Sequence, residues 1–150
     1  VVVHPDQILE TRHSRAVLAE PFDLHTVVAH STHLGLFLTG LQRGDLALLR
    51  AGLRDVLVEP RRAPLIPGFQ AVQQAAFDHD AIGASISGGG PSVFAWFASE
   101  AAARAAAGDM RAGFVDAGIE ARAYVSPVAG PRAALVDAPA RQALSAETGA

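Results

Sequence analysis

The chain of 150 residues contains neither cysteine nor lysine. The absence of cysteine excludes disulfides and thiolate metal ligands and is compatible with a reducing cytosol, so we expect a cytoplasmic protein. The absence of lysine excludes a Schiff base and a lysine clamp for phosphate. Side-chain binding of an anion therefore falls to arginine or histidine.

Long apolar runs and strong charge are also missing. No apolar run approaches the roughly 20 residues that a membrane-spanning helix needs, so we expect no membrane partner. The net charge is −3 and the arginines are dispersed, which argues against nucleic acid as a partner. Hydrophobic residues make up 50% of the sequence, enough for one packed domain without disulfides.

The spacing of apolar residues predicts an α+β domain. The predicted elements are strands at 1–4, 82–86, 92–97 and 120–125 and helices at 10–18, 23–41, 45–58, 67–77 and 100–117. Asp6 or Thr11 is the expected cap of the first helix, Asp23 that of the second, and three prolines between 60 and 67 predict an irregular loop. We expect a ferredoxin-like (split βαβ) antiparallel sheet with helices on one face, plus extra helices inserted after the first strand.

The two ends of the sequence predict a domain with a tail. Three valines open the chain inside an apparent strand, so we expect it to be a piece of a longer protein. From residue 126 onward alanine, proline and glycine dominate. This predicts one domain over residues 1–137, with a short extended piece near 134–136, and a disordered tail over 138–150.

A run of three glycines and a proline, residues 88–91, separates the second and third predicted strands. Glycine lacks Cβ, so its backbone reaches positive φ and approaches a ligand or a neighbouring loop closely. An ordinary tight turn needs only two such residues. The run matches neither the Walker loop nor the dinucleotide fingerprint. A ligand-bordering loop and a plain turn both stay open.

Arginines and histidines are the other candidates for chemistry. Thr11 and Arg15 lie four residues apart on one helix face and suit one shared ligand, with capping and solvated arginine as the alternative. His30 and His33 share one side of a helix; no third ligand has recognisable spacing, so we predict no metal site and leave a structural role or a substrate contact open. Arg62 follows a helix and precedes the proline loop, so it is either a restrained carboxylate or phosphate fork or an exposed arginine.

Together these groups suit a small anionic substrate such as an amino acid. They do not include a nucleophile beside a base, so acyl transfer is unsupported.

Four segments resemble the homoserine kinases of the GHMP small-molecule kinase superfamily, and the resemblance extends over nearly everything from Val1 to about Val136. TRHSRAVL at 11–18 resembles their T-x-x-(A/S)-R-x-(I/V)-L segment, and AHSTHL at 29–34 resembles AHxxHL. DVLVEPRR at 55–62, followed by LIPGF at 65–69, resembles D-x-(I/V)-x-EP-x-R with its PGF sequence. ISGGGPS at 86–92 resembles the third superfamily motif, with Gly89 and Ser92 replacing a small residue and a threonine.

The resemblance implies the fold of a GHMP kinase C-terminal domain. It implies the substrate-binding half of an enzyme that transfers the ATP γ-phosphate to the hydroxyl of L-homoserine, in threonine biosynthesis. The implied site residues are a carboxylate-binding pair with a neighbouring threonine, two activity-linked histidines and an active-site glycine loop: Arg15, Arg62 and Thr11; His30 and His33; Ser87, Gly88, Gly89 and Gly90.

The nucleotide-binding motif of the family, PxxxGLGSSA, does not occur in this sequence. The resemblance implies that ATP and Mg²⁺ are held mainly by an N-terminal domain that this chain lacks and that is its partner. We therefore expect the isolated chain to be inactive.

Two other functions stay open: a different GHMP kinase of mevalonate, sugar or shikimate type, and a non-catalytic ferredoxin-like module that binds an amino acid. A homodimer through the apolar face of the 23–41 helix is a further expectation.

Overall fold

The computed structural model describes residues 1–129. The extended piece predicted near 134–136 and the tail predicted at 138–150 lie outside this range. The described elements, in chain order, are β1 (Val2–Pro5), α1 (Thr11–Ala16), α2 (Leu24–Arg43), α3 (Leu46–Gly52), α4 (Glu59–Arg62), a 3₁₀ turn (Ala63–Leu65), α5 (Phe69–Asp78), β2 (Gly83–Ile86), β3 (Val93–Trp96), α6 (Glu100–Val115) and β4 (Ala121–Tyr124). Over residues 1–129, no helix has the length and apolarity needed to cross a membrane.

The four strands form one antiparallel sheet in the order β2-β3-β1-β4. β1 lies inside the sheet, where Val3 is opposite Val93 of β3 on one side and Ala123 of β4 on the other. Together with α5 and α6 the strands follow the sequence β-α-β-β-α-β of the ferredoxin-like motif. The predicted α+β fold with a split βαβ unit is therefore confirmed.

The core lies between one face of the sheet and the pair α5 and α6. Val3, Val93 and Ala95 point into it from the strands, and Met110 and Phe114 from α6; all five are fully buried. The two helices approach closely at Gly113, where a Cβ atom would lie 2.8 Å from the backbone nitrogen of Val72. Even a methyl group at this position would push α5 and α6 apart.

The inserted helices α2 and α3 pack beside the opposite face of the sheet. Residues Gly83 and Trp96 are paired on that face, because their neighbours Ala84 and Ala95 point into the core. The rings of Phe37 and Trp96 have centroids 5.6 Å apart. Leu53 fills the space that a side chain at Gly83 would occupy. These contacts fix the end of α3, and hence the start of the next segment, against β2 and β3.

Aspartates begin the two inserted helices and a glycine separates them. The carboxylate of Asp23 accepts a bond of 2.9 Å from the Thr26 backbone N–H at the start of α2. Asp45 accepts bonds from the first backbone N–H groups of α3. Between the two helices Gly44 adopts a φ of 64°, which glycine reaches without steric cost. The predicted Asp23 cap is present.

Three local predictions were wrong. The helix expected over 45–58 ends at Gly52, which packs against the backbone of α2. The chain then turns at Asp55, whose carboxylate accepts bonds from the backbone N–H groups of Leu57 and Val58. The first helix has Glu10 at its N-cap, without a side-chain bond, instead of Asp6 or Thr11. The irregular loop expected at 60–67 is occupied as far as residue 65 by the rest of α4 and by the 3₁₀ turn.

The glycine-rich segment connects β2 to β3 as a short loop. The Ser87 N–H donates to the Ser92 carbonyl at 2.7 Å, and the Gly90 N–H donates to the Ser87 carbonyl at 3.1 Å. Gly88 and Gly90 have φ values of 59° and 80°. A Cβ atom at Gly90 would lie 3.1 Å from Cδ1 of Ile66, whereas one at Gly89 would meet no atom within 4 Å.

We expect Asp23→Ala to lower the melting temperature at neutral pH by roughly 2–4 °C, because the first turn of α2 loses its cap. The hydroxyl of Thr26, and secondly its backbone N–H, lower the pKa of Asp23 in the folded state. The stabilisation by the ionised cap is therefore complete above the ordinary aspartate pKa and disappears as the pH falls through the lowered value. Thermal melts between roughly pH 2 and pH 7 test this. In Asp23→Asn, which keeps a capping oxygen, the melting temperature should no longer depend on pH through residue 23. A difference in melting temperature between wild type and Asp23→Asn that is the same at every pH contradicts the prediction.

The two glycines in the middle of the loop offer a matched pair. Gly90→Ala should lower the free energy of unfolding by about 1–3 kcal/mol, because alanine is strained at positive φ and its methyl group crowds Ile66. Gly89→Ala should cost less than about 0.5 kcal/mol, since its site is open. Chemical denaturation of both variants measures the difference, and equal losses refute the described loop conformation.

Candidate functional site

A cavity of about 240 Å³ lies between α1, α4 and the glycine loop. Its lining combines two arginines, two hydroxyl side chains, two glycines and one leucine: Leu9, Thr11, Ser14, Arg15, Arg62, Gly89 and Gly90. No acidic side chain is in this set, so the cavity carries positive charge. The structure thus brings both predicted arginines, the predicted threonine and part of the predicted loop into one site.

Arg62 is the most restrained member of the site. Its Nε–H donates to the Ser14 carbonyl of α1 at 3.1 Å, and Nη1 donates to the Gly88 carbonyl of the loop at 3.1 Å. A guanidinium has five N–H groups, so the two bonds fix its plane and leave donors available to a ligand. The side chain is half-buried. Its fork is therefore held in one orientation at the wall of the cavity.

Ser14 connects the same three segments. Only 4% of the residue is exposed, and its hydroxyl donates to the Gly89 carbonyl at 3.0 Å. Its own carbonyl receives the Arg62 bond. Two neighbouring loop carbonyls, those of Gly88 and Gly89, thus accept bonds from α4 and α1. These bonds hold the loop against the cavity, and the glycines leave room for a ligand.

Arg15 and Thr11 form the outer wall. Both are exposed and lie four residues apart on α1, on the cavity side of the helix. Arg15 faces the same space as Arg62, so an anion in the cavity can contact two guanidinium groups. Ser87 is exposed at the start of the loop, and its N–H closes the loop to Ser92.

The neighbouring Arg61 points elsewhere. It donates to the carbonyls of Glu20 and Pro21, and its guanidinium carbon lies 3.6 Å from the centroid of the Phe22 ring. This arginine therefore fastens the segment before α2 to α4. Only the second arginine of the Arg61–Arg62 pair reaches the cavity.

The carboxylate of Glu59, at the start of α4, is bonded inside the protein. It accepts bonds from the hydroxyl of Ser85 on β2 and from Nε2 of Gln73 on α5, the latter at 3.1 Å. The same amide of Gln73 donates to the Ala84 carbonyl at 2.9 Å. Glu59 does not line the cavity. Its bonds attach α4 to the sheet and to a core helix.

The two histidines lie away from the arginine cavity. His33 Nδ1 is 2.8 Å from the Ala51 carbonyl and joins α2 to α3. His30 lines a second cavity, of about 210 Å³, together with Asp55, Ser85 and Phe94. Its Nδ1 is buried without a hydrogen-bond partner, 3.6 Å from Oδ1 of Asp55. No residue lines both cavities.

Two further observations concern other ligands. In the part of the chain that is described, no three histidine, aspartate or glutamate side chains gather where they could hold a metal ion. A larger cavity, of about 570 Å³, lies beside β3 and the start of α6 and is mainly apolar. None of the predicted site residues lines it.

One residue of the cavity and three that attach α4 to the core were missed by sequence reasoning. Ser14, Glu59, Gln73 and Ser85 received no role, because nothing local marks a serine or a glutamine that bonds a distant segment. The available signals were the position of Ser14, on the same turn of helix as Thr11 and Arg15, and the place of Glu59 in the segment at 55–62.

Three comparisons with known proteins bear on the family of this chain. The family described as "GHMP kinases C terminal" matches residues 37–116. Homoserine kinase of Xylella fastidiosa (strain 9a5c) is 57% identical over 136 residues, which are 91% of this chain and 42% of that protein. Homoserine kinase of Chlorobaculum tepidum is 39% identical over 137 residues, which are 90% of this chain and 42% of that protein.

A solved structure gives the same result. The crystal structure of homoserine kinase from Cytophaga hutchinsonii superimposes with a TM-score of 0.82 at 38% identity, covering 85% of this chain and 40% of that one. The chain therefore spans less than half the length of the relatives it matches. The resemblance carried by the four sequence segments is confirmed, and the chain belongs to the GHMP kinases, of which it carries the C-terminal domain.

Proposed function

We propose that this chain is the substrate-binding, C-terminal part of a homoserine kinase, which transfers the γ-phosphate of ATP to the hydroxyl of L-homoserine. The observation that carries the proposal is the small cationic cavity in which a restrained Arg62 and an exposed Arg15 face one space. The names of the relatives, all homoserine kinases, support the choice of substrate.

The carboxylate of the amino acid is the group that these arginines bind. A guanidinium binds a carboxylate through two parallel N–H···O bonds, and Arg62 presents its remaining donors in a fixed plane because Ser14 and Gly88 hold the others. The cavity is smaller than the roughly 300–1,000 Å³ typical of drug-sized ligands. Its size and charge therefore suit a small amino acid.

Binding the carboxylate in this cavity contributes to phosphoryl transfer by holding the substrate hydroxyl in a fixed position. The reaction leaves little covalent chemistry to the protein and depends on alignment of the hydroxyl with the phosphate and on charge neutralisation. The described residues include no cluster of acidic or histidine side chains that fits Mg²⁺, so we assign no metal step to this chain. In this proposal the nucleotide and the metal are bound by the domain that the relatives have in addition to the part matched by this chain.

A chimera tests the proposal. In it, this chain replaces the matching 42% of the Xylella fastidiosa homoserine kinase, and phosphorylation of L-homoserine is assayed with ATP beside the isolated chain. We expect turnover by the chimera and none by the chain alone. A chimera that folds and phosphorylates mevalonate or a sugar, but not homoserine, would assign the chain to another GHMP kinase; one that binds the amino acid without turnover would favour a binding module.

Arg62→Ala in this chimera should raise the KM for homoserine roughly tenfold to a hundredfold, the loss expected when charge-assisted hydrogen bonds are removed. The kcat should fall less. The sharper readout is discrimination: wild type should strongly prefer homoserine to the amino alcohol that lacks its carboxylate, and Arg62→Ala should lose most of that preference. Arg104→Ala is the control, because that exposed arginine of α6 pairs with Glu100 and does not line the cavity. Unchanged discrimination in Arg62→Ala refutes the carboxylate assignment.

A further inference from the structure

We propose that Glu59 is a positioning residue that holds Arg62 in its binding orientation through Ser85 and Gln73. The expected effects on substrate kinetics rest on the proposed function. The structural coupling between Glu59 and Arg62 is independent of it. Glu59 and Arg62 are the first and last residues of α4, a helix of one turn.

A one-turn helix has little stability of its own, because nucleation fixes several residues for a single hydrogen bond. The N-cap residue of α4, Val58, makes no side-chain bond to it, and Pro60 in the first turn has no N–H to donate. The orientation of α4 therefore depends on side chains that attach it to other elements. Arg61 attaches it to the segment before α2, and Glu59 attaches it to the core.

The attachment through Glu59 is rigid at its far end. Ser85 is only 8% exposed, in the middle of β2. Gln73 bonds the Ala84 carbonyl as well as Glu59, so its amide is held between strand and carboxylate. Both partners thus belong to the ferredoxin-like unit, while Arg62 reaches out to α1 and the glycine loop. Glu59 therefore holds α4, and with it Arg62, in a fixed position relative to the sheet.

Hydrogen bonding, and not the negative charge, is what this role needs. A glutamine at position 59 has nearly the same shape. Its Oε1 accepts from Gln73, and its Nε2 donates to the Ser85 hydroxyl, which can accept as well as donate. Glu59→Gln therefore preserves the attachment, whereas Glu59→Ala removes it. A carboxylate that acted as a base or on a cation would lose its function in both variants.

The Nε–H signal of Arg62 in ¹H–¹⁵N spectra of this chain reports the coupling directly. Its bond to the Ser14 carbonyl slows exchange with water, and Arg62→Lys assigns it by its loss. We expect Glu59→Ala to speed the exchange at least about tenfold, as when one net hydrogen bond is lost, and Glu59→Gln to rescue it to within about threefold. Glu100→Ala, which removes an exposed carboxylate of α6, is the control and should change nothing.

Ser85→Ala provides the same test if the Glu59→Ala variant does not fold. It removes one of the two partners and should speed the exchange by a smaller factor in a folded chain, as checked by the melting temperature. Unchanged exchange in the folded Glu59→Ala or Ser85→Ala variant overturns the proposal.

Kinetics in the chimera supply the second readout. Glu59→Ala should raise the KM for homoserine more than it lowers kcat, and Glu59→Gln should restore the KM. If both variants lose kcat equally while the Arg62 signal is unchanged, the charge of Glu59 takes part in the reaction and the positioning role is wrong. If the wild-type chimera does not act on homoserine while the Arg62 signal responds as expected, the proposed function fails and the positioning role stands.

Discussion

The guanidinium of Arg62 joins segments that are far apart in the sequence. Through Nε and Nη1 it binds the carbonyl of Ser14 on α1 and that of Gly88 in the loop between β2 and β3. Because α1 and α4 are short and the loop is rich in glycine, none of the three has a large apolar face of its own to fix it. The cavity exists because these polar bonds to backbone carbonyls hold its walls together.

Much of the fold could be predicted from the sequence, because its signals are local. The aspartate at position 23 and the glycine at 44 begin and end α2 by capping and by positive φ, effects that depend on a few neighbouring residues. The predicted helix over 45–58 failed for the opposite reason. Gly52 ends α3 where it meets the backbone of α2, and apolar spacing within one segment contains no information about such a contact.

The site divides in the same way. Linear motifs grouped Thr11, Arg15, Arg62 and the glycine loop, and the structure brings the first three, with Gly89 and Gly90, to one cavity. They did not indicate that His30 lines a different cavity, or that Glu59 is bonded to Ser85. Those facts depend on which face of a strand or helix meets a distant element. The sequence gives the type of each side chain, but it does not predict which distant residue a polar side chain will bond to in the fold.

The central place of β1 has a consequence for the order of folding. Its neighbours on both sides, β3 and β4, come from the far end of the described chain. Helices α2 and α3, by contrast, pack as consecutive neighbours, so they can pair early through local contacts. The sheet closes only after β4 is available, and loop-closure entropy makes such distant pairing slow. During synthesis β1 therefore gains its first partner in this sheet only when β3 has left the ribosome, and its second only when β4 has.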